Sequence, residues 1–415
     1  MIKRVIFALV TGLLILALGA LSPSLYAKEK VLTISMDAGD AGMDSFNPFT
    51  TNRTNNVYYV IYDRLVEMGA DGKIYPHLLK SWKVSDDGMM ITFTLRAGVK
   101  FHDGSDLNAE VLKWFLQNLA TGKSKYMVAA VGSIDIKDNL TVVMNMSRPD
   151  PNILYNFTSS FTGVPSKKAI EKYGDEFGRK YVVGTGPFEF VSWKTGDSIV
   201  LKRNPNYRWG SPLSDNQGPA KIDKIVFKEI IEDSTRFLEF KTGGVQILEE
   251  APALFLKKIK ADSNARVIGM ASNGNFHMIM NTTREFLSDV NIRKAIALSI
   301  DQNAILKTVF QGYGDPAYTY LIDRLPARKV EKKYEIRLDL EKAKAIMAKQ
   351  GWKKDSDGIL TKDGKKLSLA LWSKSDSDER KTAVVIQAQL AKLGIDIKIE
   401  QFDPSSIKAE FKKNR

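Results

Sequence analysis

A chain of 415 residues, 44% hydrophobic and 26% charged, is long enough for two domains with separate cores and has an ordinary globular composition. It contains no cysteine, which excludes disulfides, cysteine-bearing metal sites and thiol nucleophiles together. The net charge of +13 arises from 61 Lys and Arg against 48 Asp and Glu with the signs interspersed; a nucleic-acid site calls for a one-sided basic stripe with aromatics to stack on, so no nucleic-acid partner is expected.

Lys3 and Arg4, the apolar run from Val5 to Leu21 and the small Ala27 read as a cleaved secretory signal over residues 1–27. The apolar run reaches only the lower edge of a membrane span. No later stretch is long and apolar enough to cross a bilayer. Export with no cysteine to carry a lipid anchor suits an untethered protein of the periplasm.

Residues 30–37 read as the first strand of the mature chain. The loop 38–56 is polar and small, with Gly39, Gly42, Asp44, Asn47-Pro48, Asn52, Asn55 and Asn56; placed between a strand and a helix, it suits the wall of a cleft. Apolar residues at 57, 58, 61, 62 and 65 predict a helix over 57–67. Residues 74–104 predict a β-meander, with a hairpin turn at Asp87-Gly88 and Ile91, Phe93 and Leu95 alternating with Thr92 and Thr94. Ser105 is placed to cap the next helix, with Leu107, Val111, Trp114 and Phe115 facing inward.

A strand at 141–146 and short helices at 152–157 and 167–173 lead to residues 184–207, GTGPFEFVSWKTGDSIVLKRNPNY. Strands at 188–193 and 199–203 flank the turn Lys194-Thr195-Gly196-Asp197. Phe188 and Phe190 on one face and Val191 and Trp193 on the other predict a sheet covered on both sides. Gly184-Thr185-Gly186-Pro187 is a rigid entry turn, and Asn204-Pro205-Asn206 turns the chain out again. Further strands are expected at 225–230, 265–270 and 275–281. Helices are expected at 234–241 (capped by Ser234), 252–261, 290–299 and 302–310. A helix at 340–350 closed by Gly351 precedes a β-α-β unit of strand 367–372, helix 379–393 closed by Gly394, and strand 396–401.

Ser214-Asp215-Asn216, Lys241-Thr242-Gly243 and Ser405-Ser406-Ile407-Lys408 spell the three boxes of the serine β-lactamases. That chemistry needs the Ser-x-x-Lys box first in sequence, and here it comes last. A second Lys-Thr-Gly, at 194–196, sits in a hairpin turn. No GxSxG, HExxH or Walker A stretch occurs, so no enzyme and no cofactor are expected. His77, His102 and His277 are far apart without helical metal-ligand spacing; structural roles and no metal site are expected.

The GTGPF turn, the strand ending at Trp193, Gly196-Asp197 and the run into Arg203-Asn204-Pro205-Asn206-Tyr207 resemble solute-binding protein family 5, the dipeptide-, oligopeptide- and nickel-binding subunits of ABC importers. Pro76-His77-Leu78-Leu79-Lys80-Ser81-Trp82, Ser85-Asp86-Asp87-Gly88, Thr92-Phe93-Thr94-Leu95-Arg96 and Phe101-His102-Asp103-Gly104 form a second similar block. Asn47-Pro48 and Asn291-Ile292-Arg293-Lys294-Ala295-Ile296 match further motifs in order. The family's Gly-x-x-Asp-Ile reads Gly244-Val245-Gln246-Ile247 here, without the Asp.

The resemblance implies an α/β fold: a two-lobed periplasmic binding protein of type II, large and peptide-binding-protein-like. Lobe one is expected over 28–265, with a β-meander subdomain near 70–175, and lobe two over 266–415, the crossing lying near 266–275. It implies a monomeric periplasmic receptor that captures a di- or oligopeptide, or a nickel chelate, between the lobes and delivers it to a membrane permease. Ligand in contact with both lobes favours the closed state by its differential affinity. Polar or aromatic residues at strand ends are the expected contacts, since α/β sheets bind ligands there: Asp44, Asn47, Arg53 and Asn55 from the first loop, Phe276 at the crossing, and Trp372 and Ser373 at a strand's carboxyl end. Relatives continue well beyond residue 415, so the second lobe is expected to be incomplete and the chain truncated, as a fragment or a frameshifted gene. The alternative is a truncated relative that no longer transports and acts as an exported chaperone-like or interaction protein.

Overall fold

The computed structural model describes residues 29–36, 43–51, 55–269, 274–321, 331–374, 377–402 and 406–413. The expected signal segment and Arg53 lie outside them.

Strand β1 (Val31–Met36) opens the described chain. β2 (Val66–Met68) and β3 (Ile74–Pro76) form a short antiparallel pair. β4 (Leu79–Val84), β5 (Met90–Leu95), β6 (Val131–Asp138) and β7 (Thr141–Met146) make an antiparallel sheet of order β4-β5-β7-β6. The expected Asp87-Gly88 reversal joins β4 to β5, with Gly88 at φ +69°. The alternation that predicts β5 also orients it: Ile91, Phe93 and Leu95 are buried, and Thr92 and Thr94 less so. The helix Ala109–Thr121 adds Leu112, Phe115, Leu116 and Leu119 to the same core. Its cap is Asn108, whose side chain accepts the Val111 N–H at 3.0 Å, and not Ser105. Ser105 instead donates its N–H and hydroxyl to Asp103 Oδ1, and buried Leu107 holds the chain extended before the helix begins.

β8 (Phe188–Lys194), β9 (Ser198–Arg203), β10 (Lys224–Glu229) and β11 (Ile247–Leu248) join β1 in a sheet of order β11-β1-β10-β9-β8. The predicted hairpin forms, with Gly196 at φ +73° in its turn. Only one of its faces is covered as expected: Phe188, Ile199 and Leu201 are buried, whereas Val191 is 48% exposed. On the second face Trp193 is partly buried against Phe46, ring centroids 5.2 Å apart, while Val191 is left to solvent.

The chain divides into two compact units: one of Met1–Thr33, Asp44–Trp193 and Ile199–Phe227, the other of Ile34–Met43, Lys194–Ser198 and Lys228–Arg415. Unit 1 holds the four-stranded sheet and its core. In unit 2, Ile292, Ala295, Ile296, Met347, Trp352, Leu390, Leu393 and Ile395 form a second core. β12 (Lys353–Lys354), β13 (Leu360–Lys362) and β14 (Lys365–Lys366) make a small antiparallel sheet beside it. β15 (Ser368–Lys374) and β16 (Asp396–Phe402) pair in parallel around the helix Ser377–Leu393, the predicted β-α-β unit. Gly351 (φ +85°) and Gly394 (φ +104°) end their helices in the left-handed region, as expected.

Three other expectations are corrected. The helix over 57–67 shrinks to Tyr58–Ile61. All five apolar residues are buried, but Tyr62 is extended and the chain runs on into β2, so helical spacing is satisfied here by a turn followed by extended chain. The helix Asp233–Lys241 is capped by Glu232, which accepts the Thr235 N–H at 2.7 Å, not by Ser234, which itself donates to Glu232. Among the described residues, 265–269 and 274–281 form no strand. Met278 and Met280 still pack on the unit 2 core while Ile279 is exposed: alternation decides which side chains turn inward, but a strand also needs a neighbouring main chain to bond.

Candidate functional site

The GTGP turn passes directly against the Val60–Tyr62 main chain of unit 1. A Cβ on Gly186 would lie 2.5 Å from the Val60 carbonyl oxygen and 2.7 Å from that of Ile61, so glycine is required by contact. The Gly186 N–H donates to the Ile61 carbonyl at 2.9 Å. Between the two glycines, Thr185 is buried and donates its hydroxyl to Asp63 Oδ2 at 2.9 Å.

Asp63, 2% exposed, also accepts the Trp209 indole N–H at 2.9 Å and the Tyr207 hydroxyl at 3.0 Å. His77 Nε2 lies 3.1 Å from Asp63 Oδ1 and His77 Nδ1 3.4 Å from Glu67 Oε1, and Glu67 pairs with Arg64. Burial alone pushes the Asp63 carboxyl up, but the His77 charge and the His77, Thr185 and Trp209 donors outweigh it and hold its pKa below the usual value. His102 is held differently. Burial drives its pKa down, and the neutral ring donates Nε2–H to the Gly186 carbonyl at 2.9 Å and accepts the Gly184 N–H at Nδ1, 3.3 Å away. The structural roles expected for His77 and His102 are thus specific: His102 fastens the GTGP turn directly, and His77 holds Asp63, the acceptor of the Thr185 hydroxyl in that turn.

The polar loop that sequence marks as a cleft wall is tied down by its own side chains. Asn47 Oδ1 accepts the Phe49 N–H at 3.0 Å, and Asp44 Oδ1 accepts the Thr51 hydroxyl at 2.6 Å. Tyr58 and Tyr62 donate their hydroxyls to the Ser45 and Phe46 carbonyls at 2.9 and 2.8 Å. Burial raises both phenol pKa values well above the ordinary one, so both remain donors. Arg179 Nε reaches the Asp44 carbonyl at 2.8 Å, and Asn55 Oδ1 accepts the Val57 N–H at 3.1 Å. Asp44, Asn47 and Asn55 all lie in unit 1, each engaged in shaping its own loop.

The other three candidates lie in unit 2. Phe276 is 57% exposed, its ring edge-on to Phe310 with centroids 6.0 Å apart. Trp372, at the carboxyl end of β15, is half-buried and sits 5.0 Å from the Phe402 ring. Ser373 beside it is 5% exposed, and its hydroxyl has no hydrogen-bond partner among the described residues. Ile279 to Thr283 and Phe411 line a groove of about 350 Å³. His277 is exposed, edge-on to Tyr320.

The β-lactamase-like boxes have local roles. Ser214 and Asn216 bond to one another in an exposed turn, Lys241 pairs with Asp262 at 2.7 Å, and Ser405 lies outside the described residues. Among the described residues no cluster of three His, Asp or Glu could hold a metal ion, and no helix is long and apolar enough to cross a membrane. Sequence reasoning singles out Tyr207 only as part of a family-like motif, and Asp63 and Trp209 not at all. The available signal is the charged trio Asp63, Arg64 and Glu67 following the apolar run 57–62.

The fold is mixed α/β in two compact units. The pattern of bacterial extracellular solute-binding proteins, family 5 Middle, matches residues 73–415, and the chain belongs to that family. It is 27% identical over 395 residues to the glutathione-binding protein GsiB of Salmonella choleraesuis, covering 94% of this chain and 72% of that protein. With the oligopeptide-binding protein AppA of Bacillus subtilis it shares 26% identity, over 86% of this chain and 66% of the other. Its fold matches that of NikZ from Campylobacter jejuni, solved in complex with Ni(L-His), with a TM-score of 0.80 at 24% identity over 91% of this chain and 74% of that one.

Proposed function

We propose that this chain is the solute-capturing subunit of an ABC importer, taking up a short peptide or, as a second possibility of the same class, a nickel chelate. The observation that carries the reading is family membership across residues 73–415. Peptides come first because the two relatives compared by sequence are named for glutathione and for oligopeptides; the nickel reading has the likeness to NikZ behind it. In this reading residues 1–27 direct export to the periplasm. Lobes 28–265 and 266–415 close on the solute as a monomer, and a permease with its own ATPase receives it. The receptor breaks no covalent bond itself.

Asp44, Asn47, Arg53, Asn55, Phe276, Trp372 and Ser373 are the proposed contacts. The anchoring of the first loop by Tyr58, Tyr62 and Arg179 supports a preorganised wall, which lowers the ordering cost of binding. The exposed Phe276 ring and the unpartnered Ser373 hydroxyl support the rest. The test is thermal unfolding against dipeptides, oligopeptides, glutathione and Ni(L-His). A true ligand at a hundred times its Kd adds about 2.7 kcal/mol of stability. A folded protein that responds to none of the four classes refutes the proposal.

A further inference from the structure

His77 is 4% exposed, and each ring nitrogen faces a carboxylate, Asp63 at 3.1 Å and Glu67 at 3.4 Å. The second contact falls short of hydrogen-bond geometry. A neutral imidazole carries one N–H and one lone pair. Either neutral tautomer would aim its lone pair at a buried carboxylate oxygen; only the doubly protonated ring presents a proton to both. Charge counting agrees. Arg64 offsets Glu67, and among the described residues the ion-pair partner of Asp63 is His77. With His77 charged the four groups sum to zero. Without that proton a buried negative charge is left uncompensated, which is strongly unfavourable.

The neighbours leave no other proton to serve. The Tyr207 hydroxyl, 3.5 Å from His77 Nε2, is committed to Asp63. Burial, together with Asp63 and Glu67, pushes its pKa up, and Arg96 opposes this only in part.

We infer that His77 is a buried imidazolium latch: its proton ties the side chains of Asp63 and Glu67 to the connection between β3 and β4 and, through Asp63, to Tyr207 and Trp209, and its loss in alkali weakens a junction that main-chain bonds from residues 77–79 to Arg64 and Leu65 also hold.

Burial by itself lowers the His77 pKa, but Asp63 and then Glu67 outweigh it and raise it to about 9. A group whose folded pKa is raised contributes stability below its unfolded value, about 6.5, and loses it as pH rises through the folded one. That difference corresponds to a few-hundredfold change in the folding equilibrium, to order of magnitude.

The experiment is ¹⁵N NMR of the imidazole nitrogens in the full chain, which has three histidines, alongside melting temperature against pH. In the wild type, both His77 nitrogens should carry imidazolium shifts at about pH 7.5 and lose them near pH 9, and the melting temperature should fall between about pH 6.5 and 9.5. Glu67→Gln removes one of the two carboxylates; it should lower the His77 midpoint and move the loss of stability to lower pH. A neutral His77 at about pH 7.5, or a midpoint that Glu67→Gln leaves in place, overturns the inference. The wild-type spectrum decides even where a variant fails to fold.

Discussion

Thr185 Oγ1 and Asp63 Oδ2 stand 2.9 Å apart across 122 positions of chain. One fully buried hydroxyl thus fixes the turn that opens the β8–β9 hairpin to the segment that enters β2. The glycines on either side of Thr185 make that approach sterically possible, and the donors from Tyr207 and Trp209 complete the carboxylate's partners.

Gly184→Ala should destabilise unit 1 by about 1–3 kcal/mol or more, because the added Cβ meets the Ile61 carbonyl and comes within 2.7 Å of the Tyr62 ring. Gly269→Ala, with nothing within 4 Å of its Cβ, should change stability by less than about 0.5 kcal/mol. Urea unfolding of both variants checks the contrast, and equal effects would show that the close approach is not a constraint.

Asp63→Asn should cost about 3–5 kcal/mol, since it leaves the buried group of Arg64, Glu67 and His77 with one positive charge uncompensated. Tyr207→Phe should cost about 1.5–3 kcal/mol, the range for a hydrogen bond to a charged group. The double variant should cost less than the sum, as both changes act on one carboxylate. Strict additivity in a double-mutant cycle would mean the two side chains do not interact.

The acid limb of stability should carry the signature of Glu67. Burial raises its pKa, but the close His77 ring and its charge, then Ser211 and Arg64, outweigh that and lower it to about 2. A depressed carboxylate contributes stability above its unfolded pKa and loses it as pH falls through the folded value. The loss therefore spans about pH 4.5 down to 2. Denaturant midpoints measured across that range should fall less in Glu67→Gln than in the wild type; parallel curves would remove Glu67 from the account.

Trp372→Ala should weaken binding of whichever solute raises the melting temperature by at least about tenfold, or 1.4 kcal/mol. Phe276→Ala should do so with little loss of stability, because the ring is more than half exposed. Val191→Ala, at an exposed edge, should leave affinity unchanged. Calorimetric titration of the three variants distinguishes ligand contact from packing, and unaltered affinity in the first two removes them from the site.

The hairpin at 188–203, strand β7, the meander turn and the β-α-β unit of unit 2 were readable from sequence because each rests on nearest-neighbour chemistry: alternation, Gly in a tight turn, Gly after a helix. So was the family, whose motifs are short but ordered. The Ser105 and Ser234 caps were misread for a reason of the same kind. Several polar residues near a helix start can cap it, and only the packing of Leu107, or the reach of the Glu232 side chain, selects one.

Sequence by itself determined that this is an α/β chain with the motif order of a solute-binding family, because secondary structure and turn chemistry are written locally. Tertiary structure decided that His77 sits between two carboxylates, that Asp63 gathers donors from 122 to 146 positions away, and that residues 275–281 form no strand. Those facts depend on which distant main chains and charges meet, and no local pattern encodes a meeting.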